Sequence, residues 1–504
     1  MTEIKKALNQ KDLSTLNNII ITSNDILNNM PAILRDIFTL YQGKYINLSD
    51  KFILNILISK MCQMLTGKRI TLNETGKINI PNWYSINFIP SGYGKDRLVS
   101  DLDKNIFSDY REWFKENAKR YYQTEIERIN KIAEEKYTGS KQEKMKAAFI
   151  EKETEKIRNI IIEIQDGTQE GFYADCKGFS NAPFGSAYIK ISELGLYLKS
   201  LSNEKLQFIN CLYNAYDGVI NSKCIKSGTR ENQIENLPIN ALLYSDYTLF
   251  QGDIKTIFNS LISIGLGRRA LISFQAPDTL QDESMTANEE QIFYKKAQKY
   301  GENLFSIFYN LPFNACYVLD EDAKNNVLNV YKRELIDKFN NTDNELLKKE
   351  IKSRELKALK LSCIYACLNH PIEFGINTED VRQAIATIEF LSTDFKKFIN
   401  YRPETNDFYD KLFNFILENQ DKEEITKYKL TYRYFQQLGI SRKKFIDTFE
   451  EAIEIVKGIA KAKDYTLIEQ SINNNSGMKY YLQPLTTDNE DNIISFDEII
   501  KNKK

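Results

Sequence analysis

Apolar and polar positions along the chain follow two patterns, and the first of them predicts strands. Short apolar runs rich in β-branched and aromatic residues occur at 83–89, 158–163, 187–191, 239–244 and 269–274. The second pattern, apolar residues at helical spacing, lies between these runs, as at 204–212. Strands separated by helices predict an α/β fold around a mainly parallel sheet.

A helical region precedes this predicted core along the chain, and a charged helical region is inserted into it. Residues 1–80 have helical periodicity, with Asp50 placed to cap one helix. Residues 109–158 are dense in Glu, Lys, Gln and Arg with a break at 137–140, which predicts two long helices folded into a hairpin. A solvated hairpin is the simpler interpretation, and a contact with a partner or with DNA is the alternative.

The second half of the chain is predicted to be helical and then mixed. A linker is predicted at 278–284, and Asn377 or Thr378 is placed to cap a later helix. Helices followed by a short strand at 478–482 predict a winged-helix-like module. The predicted regions are a helical N-terminal region at 1–80, the α/β core with its hairpin insertion at 81–277, a helical lid at 278–402, the winged-helix-like domain at 403–485 and a loosely ordered tail at 486–504.

Charge and composition exclude several classes of protein. The 68 basic and 69 acidic side chains nearly cancel, so any nucleic-acid contact must come from a local patch. No apolar run approaches the roughly 20 residues that span a bilayer, and the N-terminus lacks the apolar core of a signal peptide. We therefore expect a cytoplasmic protein, in the host cell if it is phage-encoded, without a membrane segment.

The cysteines and the single histidine narrow the chemistry further. The seven cysteines form no Cys-x-x-Cys pair, and His370 is the only histidine. Disulfide frameworks, zinc sites and histidine-based catalysis therefore lack the residues that they need. The groups that remain as candidates for catalysis or binding are carboxylates, lysines, arginines and backbone amides.

A glycine-rich turn between the predicted strand 83–89 and the helix after it is the strongest chemical signal. Phosphate binding needs backbone N–H groups that point into a concave turn at a helix N-terminus, together with a lysine. Such a turn predicts a nucleoside triphosphate site, and an ordinary strand-to-helix turn with a surface lysine is the alternative. The candidate residues are Pro90, Ser91, Gly92, Tyr93, Gly94, Lys95, Asp96 and Arg97.

The turn departs from the usual Gly-x-x-x-x-Gly-Lys-Ser/Thr pattern at two positions. Ile89 replaces the first glycine, and Asp96 replaces the hydroxyl residue that normally ligates magnesium. After the predicted strand 187–191, Glu193 is placed to polarise an attacking water, while Ser192 replaces the usual magnesium-binding Asp. We hypothesise that Asp96 and Ser192 have exchanged positions around Mg²⁺. A helix-capping serine followed by a first-turn glutamate is the alternative.

Arginines and lysines supply two further candidate groups. Arg268 and Arg269 precede a predicted strand, where a guanidinium could stabilise the transition state in a neighbouring subunit's site; a solvated basic turn is the alternative. Near the C-terminus, basic residues alternate with aromatic ones, which suits phosphate contact and base stacking, although scattered surface lysines give the same pattern. The candidate DNA-binding residues are Lys427, Lys429, Arg433, Arg442, Lys443 and Lys444.

The order of these features resembles a family of phage, prophage and plasmid proteins that carry a P-loop ATPase domain and are related to primase-helicase replication proteins. The similarity runs from about Met30 to about Phe398 and rests on the order and spacing of the motifs. The shared features are the Pro-Ser-Gly-Tyr-Gly-Lys loop, the charged hairpin, and the segments 166–171, 191–195, 212–218, 238–241, 267–269 and 356–398.

The resemblance implies a RecA-like or AAA-like core that binds ATP and Mg²⁺ and works on nucleic acid as a ring of identical subunits. The implied roles are phosphate binding by Lys95, water activation by Glu193, γ-phosphate sensing by Ser245 or Asp246, and a finger in a neighbouring subunit's site from Arg268 or Arg269.

The favoured interpretation is an ATP-dependent DNA helicase or translocase of a phage or mobile-element replication system, acting on single-stranded or forked DNA. The sequence lacks the histidines and paired cysteines of a primase metal site, so a separate primase or another replisome protein is an expected partner. The rival is a replication initiator or helicase loader that uses the nucleotide as a switch with little hydrolysis. A structural phage or host-interaction protein with a decayed loop is the third interpretation.

Overall fold

A computed structural model describes most of the chain. The described residues are 23–138, 142–154, 157, 160–165, 169–199, 211–220, 233–246, 258, 262–276, 284–401, 403–438, 440–462, 465–472 and 477–484. The predictions for residues 204–210, for the linker up to residue 283 and for the tail at 486–504 lie outside these ranges.

The chain divides into two compact units, and the first ends at Asn400. Its helices are α1 (Ser23–Asn28), α2 (Ala32–Lys44), α3 (Asp50–Thr66), α4 (Lys95–Asn105), α5 (Ser108–Lys136), α6 (Glu143–Thr154), α7 (Gln169–Asn181), α8 (Leu194–Lys199), α9 (Ala287–Asn310), α10 (Asn329–Asn340), α11 (Glu345–Asn369) and α12 (Thr378–Asn400). Short helical turns lie at 262–266, 267–269, 321–323 and 324–328.

The strands of this unit form two sheets. They are β1 (Thr71–Glu74), β2 (Lys77–Asn79), β3 (Tyr84–Phe88), β4 (Ala187–Ile191), β5 (Ile239–Ser245), β6 (Ala270–Phe274), β7 (Cys316–Leu319) and β8 (Gly375–Ile376). The prediction of a mixed α/β fold with a mainly parallel sheet is confirmed.

Each sheet has four strands; one has the order β4-β5-β3-β6, and all of its strands are parallel. Tyr84 lies opposite both Ala241 and Ala270, so β3 sits in the middle of the sheet. Every residue of β3, β5 and β6 is buried, as expected for parallel strands covered on both faces. β5 separates β3 from β4 although it follows both along the chain.

Helices cover both faces of this sheet. On one face the Asn55 amide of α3 donates to Asn87 Oδ1 (3.0 Å). On the other face Phe398 of α12 stacks on Phe88, with ring centroids 5.0 Å apart. Asn87 and Phe88 are consecutive residues of β3, and side chains alternate across a strand, so α3 and the end of α12 lie on opposite faces.

The first unit also contains a buried ion-pair network between its C-terminal helices. Arg354 of α11 contacts Glu350 (2.7 Å) and Glu389 (3.1 Å), and Lys338 of α10 contacts Glu389 (2.9 Å). Burial opposes ionisation of Glu389, but Arg354, Lys338 and a hydrogen bond from Tyr331 outweigh it and lower its pKa to about 2. These helices therefore pack into the same compact unit as the sheet.

Several local predictions need correction. Residues 1–80 are not wholly helical, because β1 and β2 form an antiparallel pair within them, and β1 also pairs with the distant β7. The predicted strand 158–163 does not form over its described residues 160–163, and only Ile164 bridges to Ile189 of β4. Ser49, rather than Asp50, caps α3 by accepting from Phe52 N.

Other predictions on helices agree with the structure. The charged region 109–158 contains α5 and α6, which pack against each other as a hairpin. Asn377 is the residue that caps α12, because its side-chain oxygen accepts from the backbone N–H groups of Glu379 (2.9 Å) and Asp380 (3.1 Å).

The second unit begins at Tyr401. A helical turn at 429–433 lies between its first and second helices, and its two strands pair antiparallel. Thr426 forms a further antiparallel bridge with Lys479. The elements are α13 (Pro403–Asn419), α14 (Arg442–Asp447), α15 (Phe449–Ala462), β9 (Tyr465–Ser471) and β10 (Met478–Pro484).

None of the helices in the described ranges is long and apolar enough to cross a bilayer.

Candidate phosphate-binding site

The glycine-rich turn leaves the sheet at the carboxyl end of β3 and leads directly into α4. Its start is fixed on both sides: Ile89 N donates to Ser245 O (3.0 Å), and Phe88 O accepts from Gln275 N (3.0 Å). In open parallel sheets, ligands bind in the crevice outside the carboxyl ends of the strands. The turn is therefore at the edge of the sheet where a ligand site is expected.

The turn requires glycine because of its backbone conformation and not because neighbouring atoms leave no room for a side chain. Gly92 and Gly94 have φ values of 89° and 88°, in the left-handed region, which costs a residue with a side chain roughly 1–2 kcal/mol. A Cβ at either position would meet no atom within 4 Å. The two glycines thus serve to turn the backbone, and Ser91 and Gly92 remain exposed.

The N-terminus of α4 is open to an anion. Gly94 is the N-cap and no side chain caps the helix, although the 11-residue helix carries its positive dipole end here. Asp96 and Arg97 of the first turn are exposed, and the Arg97 guanidinium lies 5.3 Å from the centre of the Tyr45 ring. Pro90, Tyr93 and Lys95 are partly buried.

Lys95 links the turn to the end of β4, two strands away. Its Nζ donates to Glu193 Oε1 (2.6 Å) and to the backbone oxygen of Ser192 (3.2 Å). The Lys95 side chain is 14% exposed and that of Glu193 is 45% exposed. The lysine and the carboxylate that the sequence singled out as candidates are therefore in direct contact, although they are 98 residues apart.

β5 lies between β3 and β4, the strands that precede these two groups along the chain. Ser245 is the last residue of β5 rather than the residue after it, and it is fully buried. Among the described atoms its hydroxyl oxygen has no hydrogen-bond partner. A buried hydroxyl without a partner is costly, so Ser245 is a group that a ligand at this edge could satisfy. Asp246 follows it and is partly exposed.

Asp96 and Ser192 are the residues that the magnesium hypothesis proposes as ligands. In the described part of the chain no three His, Cys, Asp or Glu side chains group together as metal ligands. Magnesium itself usually takes only one or two carboxylates and completes its shell with water and phosphate oxygens. Asp96 and Ser192 are both exposed, and each is adjacent along the chain to one member of the Lys95–Glu193 pair.

A network of ion pairs joins α3, α4, α5 and β4 next to this site. Lys60 of α3 contacts Asp103 of α4 (2.6 Å), and Glu163 contacts Lys190 of β4 (3.2 Å) and Arg111 of α5 (3.1 Å). Burial alone would raise the pKa of Glu163, but Lys60, Lys190 and Arg111 outweigh it and hold that pKa below its usual value. Lys60 also lies 3.7 Å from Glu163, so the network links the helix after the turn to the strand that precedes Glu193.

Sequence patterns missed the residues that hold the other side of the turn. Gln275, just after β6, donates to Asn47 O (2.5 Å) and accepts from Ser49 N (2.9 Å). Asp394 of α12 is 1% exposed and accepts from Phe274 N (3.0 Å). Asp394 lies on the buried face of an amphipathic helix, and a carboxylate on such a face is a signal that the sequence did offer.

The candidate finger residues, Arg268 and Arg269, lie at the N-terminal ends of the strands, opposite to the end that carries the turn. They precede β6, which runs parallel to β3 with Phe274 opposite Phe88, so about 16 Å of strand separates them from the turn. Arg269 contacts Asp217 (3.2 Å), and among the described atoms its Nε has no hydrogen-bond partner. Arg268 is exposed. Neither arginine can reach the turn of its own chain.

The candidate DNA-binding residues all lie in the second unit and differ in their surroundings. Lys427 is paired with Glu450 (2.7 Å) and Lys429 with Glu423 (3.0 Å). The others are exposed and belong to the 429–433 turn or the first turn of α14; they are Arg433, Arg442, Lys443 and Lys444.

The site thus combines a helix start without a side-chain cap, a lysine in contact with a carboxylate, and a buried serine hydroxyl at the end of the strand between β3 and β4, all at the carboxyl end of a parallel sheet. This arrangement can bind a polyphosphate and place a carboxylate near its end. Comparison of the chain with protein-family models and with curated proteins gives no match.

Proposed function

We propose that the protein binds ATP with Mg²⁺ at the turn 90–97 and hydrolyses it to drive a DNA helicase or translocase of a phage or mobile-element replication system. The observation that carries the proposal is the contact between Lys95 and Glu193 across the end of β5 (2.6 Å). It brings the phosphate-binding and water-activating candidates together at the edge where an open parallel sheet binds ligands.

The strand order supports a RecA-like or AAA-like core. Such a core needs a strand between the one that leads into the phosphate loop and the one that ends in the catalytic carboxylate. Here β5 occupies that position between β3 and β4. In the proposal, Ser245 at the end of this strand senses the γ-phosphate.

Each residue has a distinct role in the proposal. The amides of the turn and the Lys95 ammonium bind the β- and γ-phosphates, and Asp96 with Ser192 would hold Mg²⁺, which supplies charge neutralisation on those phosphates. When Lys95 transfers from Glu193 to the γ-phosphate, the Glu193 carboxylate becomes free to orient a water and accept its proton.

In this proposal the active form is an assembly of identical subunits, and Arg268 serves as a finger in the site of a neighbouring subunit. It is exposed and about 16 Å of strand away from its own turn, so only a second copy of the chain could receive it as a finger. A guanidinium supplied in this way stabilises the charge that develops on the transferred phosphoryl group. A ring encircling DNA is the assembly in which every site receives such an arginine.

The direct test is ATP hydrolysis by the full chain with and without single-stranded DNA. We expect turnover that DNA stimulates and that both Lys95→Ala and Glu193→Gln abolish. Lys104→Ala on the exposed side of α4 and Glu302→Gln on α9 are matched controls, since both residues are exposed, and should leave turnover unchanged. Equal turnover in wild type and both site variants would contradict the assignment.

A second candidate function is a nucleotide-binding switch, as in a replication initiator or helicase loader. One observation favours it: Glu193, the carboxylate that would activate water, is engaged by Lys95. ATP-dependent assembly of the chain without release of phosphate, with or without DNA, would select this function over the helicase.

A further inference from the structure

Two tyrosines of the second unit form a stacked pair on its surface. The ring centroids of Tyr428 and Tyr432 are 4.9 Å apart and their planes differ by 17°. The residues are 60% and 41% exposed, respectively. Large aromatic side chains that stack while exposed present a flat apolar face to the solvent, which is unusual away from binding surfaces.

A cluster of positive charge adjoins this pair. The guanidinium carbon of Arg442 lies 3.8 Å from the centre of the Tyr432 ring. Lys443 and Lys444 follow Arg442 in the first turn of α14 and are exposed. Within the part of the chain that the structure describes, none of these three cations has a carboxylate within 4 Å. The charges are therefore available to an anion.

The surface is held by buried residues beneath it. Leu430 and Thr431, which lie between the two tyrosines, are 0% and 1% exposed. Phe445, one residue after Lys444, is also fully buried and belongs to the same hydrophobic cluster as Leu430. The tyrosine pair and the basic turn are thus fixed next to each other before any ligand binds, which lowers the entropic cost of binding.

We propose that this surface binds single-stranded nucleic acid, with a base stacked on the Tyr428–Tyr432 pair and the adjoining phosphates on Arg442, Lys443 and Lys444. Every base has a π face, but only an unpaired base can offer it to a side chain, so the surface selects single strands over duplex. Lys427 and Lys429 already neutralise carboxylates and contribute less. The inference rests on the nucleic-acid part of the proposed function and assigns base stacking to two particular tyrosines.

The test is the affinity of the full chain for a fluorescent oligothymidine, measured by anisotropy over a range of salt concentrations. Tyr428→Ala and Tyr432→Ala should each weaken binding at least about fivefold, whereas the Phe variants should bind as wild type because they keep the stacking face. Lys443→Ala should lower the slope of log affinity against log salt by about 0.7. Tyr309→Ala, which removes an exposed tyrosine of the first unit, and Lys461→Ala on α15 are the matched controls and should change neither quantity.

An abasic oligonucleotide of the same length separates stacking from charge. We expect it to bind at least about fivefold more weakly than oligothymidine, because it offers phosphates without bases. The inference would be overturned if the abasic strand bound as tightly as oligothymidine, or if the alanine variants bound as tightly as wild type. It would also be overturned if duplex bound more tightly than single strands, or if oligothymidine did not bind. ATP binding by the same preparations, and its loss in Lys95→Ala, is measured in parallel, so failure of this surface is distinguishable from failure of the nucleotide site.

Discussion

Replacement of Lys95 by alanine separates a nucleotide-binding lysine from one that merely forms an ion pair. The change removes the ammonium that contacts Glu193 Oε1 (2.6 Å) and Ser192 O (3.2 Å). Glu193 is 45% exposed, so water screens the pair, and such partly exposed pairs contribute about 0.2–1 kcal/mol to stability. The free energy of unfolding should therefore fall by no more than about 1 kcal/mol.

The expected loss of ATP affinity is larger. A hydrogen bond from a charged donor to a phosphate contributes about 1.5–3 kcal/mol, which corresponds to about 10- to 150-fold in affinity. The same substitution should thus be nearly neutral for folding and severe for binding. A lysine with only a structural role cannot give this combination, because its effect would be confined to stability.

Both quantities can be measured on one preparation. The two tryptophans, Trp83 and Trp113, lie in the first unit, so their fluorescence during urea unfolding reports on the unit that contains the site. ATP affinity is measured by displacement of a fluorescent analogue, with Lys104→Ala as the matched control. The reasoning is refuted if Lys95→Ala binds ATP as tightly as wild type, or if it loses several kcal/mol of stability.

Three further predictions concern the turn, the helical region and the assembly. Gly94→Ala should destabilise the first unit by about 1–2 kcal/mol and weaken ATP binding, while the control Gly43→Ala within α2 should stabilise by about 0.5–1 kcal/mol; equal effects in urea unfolding would argue against a left-handed turn. The pKa of Glu389 is lowered to about 2, so its contribution, roughly 3 kcal/mol, is present above the ordinary value near 4.5 and is lost as the pH falls toward 2. Glu389→Gln should remove that part of the pH dependence of unfolding, and an unchanged profile would contradict the assignment. Mixing inactive Arg268→Ala with inactive Lys95→Ala chains should restore part of the ATPase activity, because a mixed interface can combine an intact turn with an intact finger; absence of recovery in verified mixed assemblies would exclude a finger in trans.

The sequence was sufficient where local pattern decides the structure. β3, β4, β5 and β6 are short apolar runs, so these strands and the turn after β3 could be predicted. Lys95 and Glu193 were predicted separately, each after a strand of this sheet, and the structure shows that they are in contact. The hairpin of α5 and α6 was also evident from its charge pattern.

Pairing between distant segments was beyond these patterns. β1 is partly polar, and its partner β7 lies more than 240 residues later, so no local period marks either as a strand. Residues 158–163 have the composition of a strand, yet the described residues 160–165 pair with β4 only through the bridge at Ile164. Gln275 supports the turn through hydrogen bonds to residues 47 and 49, and contacts at such sequence separation are fixed by the tertiary fold alone.

The most direct test of the central claim is ATP turnover by Glu193→Gln in the presence of single-stranded DNA. The substitution keeps the shape of the side chain but removes the carboxylate that would accept the proton of the attacking water. We predict that the variant binds ATP at least as tightly as wild type, since Lys95 is released from its ion pair, while turnover falls at least about 100-fold. ATP binding together with wild-type turnover in Glu193→Gln would contradict the proposed site.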